Sequence, residues 1–139
     1  MKEVGILNQD LARIISCMGH TDEIIISDAG FKQPLGVEVV DLALKENVPT
    51  VLDVLDILKD FFSVEKLILS KEAKEVSPTR FKAITENYWT GVEIETIPHL
   101  EFRDRAEKVR AIIRTADFTA LSNVLLVSGP GERWYIEKS

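Results

Sequence analysis

Apolar positions recur at two spacings along this chain, and their alternation gives the first reading of its fold. After Asn8, residues Leu11, Ile14, Ile15 and Met18 share one helical face. Asn8 is a good N-cap and Gly19 a natural stop, which predicts a helix over residues 9–18. Residues 23–27 hold three consecutive isoleucines and read as a buried strand that ends in the turn chemistry of Asp28-Ala29-Gly30. Residues 37–41 are rich in β-branched side chains and predict a second strand. Pro49 ends that stretch, and Thr50 is placed to cap a helix carrying Val51, Leu52, Val54, Leu55, Leu58 and Phe62. Its apolar face is wide, so it is expected to pack on a sheet or to be shared with a partner subunit.

Residues 65–69 predict a third strand. Ser77-Pro78 is an N-cap followed by proline at the first helical position, with Phe81 and Ile84 facing inward on a helix that runs to about residue 86. Residues 92–97 alternate strictly between apolar and polar, the pattern of a half-exposed strand. A short helix over residues 100–108 follows Pro98-His99, and strands are expected at 111–114 and 124–127. About six strands alternating with about four helices predict a single α/β domain over residues 1–139 with a mostly parallel sheet. No internal repeat, low-complexity tract or linker interrupts it.

Composition narrows the function classes. The chain has 139 residues, 45% of them hydrophobic, with 17 Lys+Arg against 23 Asp+Glu and a net charge of −6. Such a chain buries a core, and its acidity argues against a sequence-independent grip on nucleic acid or an anionic membrane. The one cysteine, Cys17, allows no internal disulfide and is expected to be a buried small hydrophobe on the first helix. No signal-peptide pattern or membrane-length apolar run is evident, so a cytoplasmic location is the expectation. No dinucleotide fingerprint, P-loop or nucleophile elbow occurs. Ser128-Gly129-Pro130-Gly131 lacks the P-loop lysine and reads as a turn. The two histidines lie too far apart for a structural zinc pattern.

Proton-transfer chemistry remains. His20 sits between a helix end and a strand start, and His99 between a strand end and a helix start, both outside the periodic apolar faces. Asp28 closes the isoleucine strand, where ligands bind in open α/β sheets, and a carboxylate there is suited to orienting a histidine. Asn123 precedes an apolar strand, and Arg103 and Arg105 lie on the short helix after His99. Trp89 and Trp134 offer faces for a sugar, although packing is the commoner role.

The stretch from Leu7-Asn8 to Gly19-His20-Thr21-Asp22, with Ser27-Asp28-Ala29-Gly30, resembles the N-terminal signature of the D-ribose pyranase family and its L-fucose mutarotase relatives. The likeness continues through Val40-Asp41-Leu42-Ala43, Val48-Pro49, Leu52-Asp53-Val54-Leu55, Ile97-Pro98-His99, Ile113-Arg114-Thr115 and Asn123-Val124-Leu125-Leu126. The resemblance implies a sugar isomerase without cofactor or metal. Such an enzyme interconverts pyranose and furanose, or anomers, of a free monosaccharide such as D-ribose or L-fucose. It further implies a ring-shaped homo-oligomer, commonly a decamer, with sites between adjacent identical subunits. His20 then matches the proton donor and Asp28 a residue that supports it and binds sugar. His99 and Leu121-Ser122-Asn123 match sugar-binding positions. Three departures stand out. Leu121 occupies the place of a tyrosine, Lys32 replaces a proline beside Asp28, and the chain continues past the last strand through Trp134-Tyr135, which are available for the missing aromatic role. The lost tyrosine leaves a catalytically impaired sugar-binding or regulatory relative as the alternative.

Overall fold

A computed structural model describes residues 1–138. Its strands are β1 (Glu23–Ser27), β2 (Glu38–Asp41), β3 (Val64–Ser70), β4 (Glu93–Ile97), β5 (Ala111–Arg114) and β6 (Val124–Ser128). They form one sheet in the order β2-β5-β1-β6-β3-β4. β2 pairs parallel with β5, β5 with β1, and β3 with β4, whereas β6 is antiparallel to both its neighbours. Five strands therefore run one way and β6, inserted between β1 and β3, runs the other. The mostly parallel α/β sheet expected from the alternation is present.

Five α-helices cover the sheet: α1 (Gln9–Cys17), α2 (Val51–Phe61), α3 (Lys71–Val76), α4 (Pro78–Asn87) and α5 (His99–Arg105), the last continued by a 3₁₀ turn over Ala106–Lys108. Four helices were expected, and α3 is the addition. Its sequence Lys-Glu-Ala-Lys-Glu-Val carries no apolar stripe and buries only Ala73, so periodicity gives no sign of it. It follows β3 directly, with no glycine or proline between them to mark the change.

Local chemistry accounts for the helix starts. The Asn8 side chain accepts from the Leu11 N–H, and Thr50 and Asp53 form a reciprocal capping box at the head of α2. One sheet face packs Ile24, Ile26, Leu67, Leu69, Ile113 and Leu126 under α1, α2 and α4. The other packs Ile25, Ile68, Ile112, Leu125 and Val127 against Phe31, Phe102 and Val109. This is why Ile24-Ile25-Ile26 is apolar throughout: both faces of β1 are covered.

Cys17 corrects its expectation, for it is exposed. At about 100° per residue it lies roughly 110° from the centre of the face formed by Leu11, Ile14, Ile15 and Met18, beyond the buried stripe. The apolar face of α2 goes mainly to the sheet, with Val51, Leu55 and Leu58 fully buried, while Ile57 and Phe61 remain exposed.

Two substitutions report on this packing. Leu55→Ala is expected to cost about 2–5 kcal/mol of stability, and Cys17→Ser to stay within about 0.5 kcal/mol of the parent, both measured by urea unfolding.

Candidate functional site

The reversal of β6 divides the predicted site residues between the two ends of β1. Asp28 follows the carboxyl end of β1, and antiparallel pairing brings the start of β6 to the same edge, so Asn123 lies beside it. The Asn123 Oδ1 accepts the Asp28 N–H at 2.8 Å. His20 precedes the other end of β1, where β6 finishes: the Thr21 N–H donates to the Ser128 carbonyl and the Ser128 N–H to the Asp22 carbonyl, both at 2.8 Å. The five residues of β1 alone span roughly 16 Å between these two places.

The first cavity, of about 740 Å³, is lined by Asp28, His99, Arg103, Leu121 and Asn123, together with Lys32, Arg114, Asp117 and Phe118. Five of the seven predicted site residues thus converge. The Gly30 N–H donates to Asp28 Oδ1 at 3.1 Å. Burial pushes the Asp28 carboxyl above its ordinary pKa; the N–H groups of Gly30 and Phe31 and the Asn123 amide oppose that rise without cancelling it. His99 opens α5, where its backbone N–H donates to Glu72 at 2.6 Å and its ring stacks on Phe102. Its Nδ1 is buried without a hydrogen-bond partner, and the residue lines the cavity.

Leu121 reaches the cavity wall from a left-handed backbone, φ 56°, a conformation that costs a non-glycine residue about 1–2 kcal/mol. Ser122 is buried and turned away from the cavity, its hydroxyl accepting from Arg80 Nη1 at 3.1 Å. Arg103 stands on the wall, whereas Arg105 pairs with Glu23 at 2.7 Å.

The loop that carries Leu121 and Asn123 is held from below by Asp117, which the sequence reading passed over. Asp117 is 1% exposed. Its Oδ2 pairs with Arg80 and accepts the Val51 N–H at 2.9 Å, while Oδ1 accepts the Thr119 N–H at 2.8 Å. Burial pushes this carboxyl up, but those N–H groups and the Arg80 guanidinium outweigh burial and hold it below its ordinary value. Arg114, within the Ile113-Arg114-Thr115 motif, ends β5 opposite Ser27 and donates to the Ala29 carbonyl and to Asp41. The rule that ligands gather at the carboxyl ends of parallel strands would have found it.

The second cavity, of about 530 Å³, lies at the opposite edge and is lined by His20, Met18, Phe61, Phe62, Gly129 and Trp134 among others. His20 does not meet Asp28 within the chain. Its partner is Glu65, with Nε2 and Oε2 3.0 Å apart. Glu65 was also missed, and no sequence pattern marks it. Trp134 belongs to this cavity and so does not take the place of Leu121 within one protomer; Trp89 packs inside, its indole N–H donating to the Phe62 carbonyl at 2.8 Å.

The chain resembles known proteins over nearly its whole length. The model of the RbsD / FucU transport protein family matches residues 1–130. A D-ribose pyranase of Halalkalibacterium halodurans is 44% identical over 93% of this chain and 98% of its own length. One of Streptococcus uberis is 41% identical over the same shares. The structure of Bacillus subtilis RbsD complexed with D-ribose superposes with a TM-score of 0.89 at 40% identity, covering 94% of this chain and 98% of that one. The fucose mutarotase of Streptococcus pneumoniae, in complex with L-fucose, shares the fold at a TM-score of 0.72 and 18% identity, covering 90% and 94%.

Replacing Asp117 by Asn leaves the Arg80 charge without its buried partner. The expected cost at neutral pH is about 3 kcal/mol or more, read by urea unfolding. Because the folded pKa of Asp117 is depressed, its contribution is present above its ordinary value near 4 and fades as pH falls further. The stability gap between parent and variant should therefore hold from neutrality to about pH 4 and narrow below it.

Proposed function

The chain belongs to the RbsD / FucU family, and from that premise we propose that it interconverts the cyclic forms of a free monosaccharide, with D-ribose as the favoured substrate. It is a sugar-ring isomerase. Ribose is favoured over fucose because the relatives at about two-fifths identity are D-ribose pyranases, whereas likeness to the fucose mutarotase is confined to the fold.

The observation that carries the reading is the division of the predicted residues between two cavities at opposite ends of β1. One end holds a histidine able to exchange protons, the other a set of carboxylate, amide and imidazole groups suited to sugar hydroxyls. A second copy of the chain that sets its His20 end against the Asp28 end of the first joins them into one site. Exposed apolar residues border both places: Phe118 is 64% exposed at the Asp28 cavity, and Phe61 and Trp134 are 53% and 75% exposed at the His20 cavity. A head-to-tail contact of this kind is heterologous and forms a ring where its rotation closes, so the proposed assembly is a cyclic homo-oligomer such as a decamer. In it Trp134 of one copy faces the Leu121 wall of the next.

In this site His20, as an imidazolium, delivers a proton to the ring oxygen while the Asp28 carboxylate takes the proton of the anomeric hydroxyl. The bond from the anomeric carbon to the ring oxygen breaks, and an open-chain aldehyde is held in place. Attack by a different hydroxyl, or on the other face of the carbonyl, returns the protons and closes the new ring. Asp28, with its raised pKa, supports the transfer and binds a hydroxyl; His99, the Asn123 amide, the Leu121 wall and Arg103 position the sugar, and Ser122 acts from beneath through Arg80. General acid–base catalysis of this kind supplies a factor of about 10²–10⁴, and orientation of the open chain adds to it. Among the described residues no helix is long and apolar enough to cross a membrane. The proposed setting is the cytoplasm, where a free sugar arrives uncharged and needs no electrostatic steering.

Saturation-transfer NMR on D-ribose is expected to show accelerated exchange between pyranose and furanose, abolished in His20→Ala and in Asp28→Asn. Co-assembly of these two inactive variants is expected to restore roughly a quarter of the parental rate, since random mixing pairs an intact His20 with an intact neighbouring Asp28 in that share of sites. A site contained within one chain would recover nothing. Light scattering of the parent should give a mass many times that of one chain.

A further inference from the structure

The carboxylate beside His20 is reached by a route that the fold builds for it. Glu65 lies where the register of β3 against β6 shifts between Val64 and Lys66, so it is the extra residue of a β-bulge. A bulged residue leaves the ladder and its side chain is re-aimed. Strand β6 stands between β3 and β1, so a side chain from β3 that is to meet His20 must cross the end of β6. It crosses at Gly129. A Cβ on Gly129 would fall 2.5 Å from Glu65 Oε2 and 2.7 Å from both Cβ and Cδ of Glu65. These contacts run along the Glu65 side chain and not only at its tip, so any larger residue at 129 would displace it. The Gly129 N–H is itself tied to the Ser63 carbonyl, which holds this surface in place.

On this basis, and resting on the function proposed above, we propose that Glu65 is a positioning residue for His20: it sets the tautomer and orientation of the ring. An ionised carboxylate only accepts hydrogen bonds, so at 3.0 Å the His20 Nε2 carries the proton and donates it to Oε2. Nδ1 is then the nitrogen that exchanges a proton with the sugar. Free imidazole in water samples both tautomers and turns freely about its bonds. The Glu65 bond keeps one tautomer and one ring direction ready on a side chain that is otherwise 63% exposed. The contact lies at the surface and contributes little to stability, so its removal leaves the fold intact.

The test uses protein labelled with ¹⁵N in its two histidines, with His20→Ala to assign the signals. At a pH where the ring is neutral, parental His20 is expected to show a protonated Nε2 and an unprotonated Nδ1. In Glu65→Ala both shifts should move toward the averaged values of a ring that exchanges tautomers. Gly129→Ala keeps the carboxylate in the chain but denies it this position, and should move the same signals in the same direction. In Glu65→Ala, kcat for D-ribose exchange is expected to fall on the order of tenfold or more, as when a histidine loses the carboxylate that orients it, with KM within about twofold. Unchanged nitrogen shifts in both variants would overturn the proposal. So would an unchanged kcat with a raised KM, which would make Glu65 a sugar-binding group. Absence of exchange in the parent would instead remove the pyranase reading, while the nitrogen shifts still decide the relation of Glu65 to His20.

Discussion

The direction of one strand governs how this chain distributes its chemistry. Were β6 parallel to β1, its start would lie by His20 and its end by Asp28. Because it is antiparallel, Asn123 arrives at the carboxyl end of β1, and Ser128 and Gly129 arrive at the other. The amide of Asn123 then accepts the Asp28 N–H, and the backbone of Ser128 brackets the loop that carries His20. Each end of the sheet becomes a built site only through this reversal, and the apolar run of β6, buried on both faces, makes the central position the stable one.

Around the Asp28 end, two carboxylates in similar surroundings are driven apart. Asp117 is enclosed but accepts backbone N–H groups and faces Arg80, so it stays ionised and anchors the 115–123 loop. Asp28 is half-buried, has only neutral donors and no cation opposing its burial, and is pushed toward its protonated form. The difference separates a structural charge from a group suited to sharing a proton with a sugar. The strained backbone at Leu121 is held by the same scaffold, since Ser77 donates to the Ala120 carbonyl at 2.6 Å and Arg80 to Ser122 next to it.

The small size of the chain shapes the rest. One six-stranded sheet and its helices use most of 139 residues, and neither cavity is closed by the chain alone. In the assembly proposed above, a pocket that shuts between copies would let a small domain surround a sugar and would cover the large apolar side chains exposed at both cavities. Trp134, beyond the span matched by the family, lines the cavity that holds His20.

Much of this was legible in the order of residues. Periodicity located all six strands and four of the five helices, because burial on one or both faces imposes spacings that a linear reading detects. The strand-end rule and the family motifs singled out Asp28, His99, Asn123 and His20 as the residues to follow. Other features were decided only by packing in three dimensions. The helix α3 has no apolar stripe to read, Cys17 lies off a face that its neighbours define, and the sense of β6 leaves no mark on its own uniformly apolar run. Above all, Glu65 meets His20 across 45 residues through a bulge and over a glycine. Sequence spacing encodes which face a side chain takes along its own strand. Which side chains meet across strands depends on pairing and register, and those belong to the folded sheet.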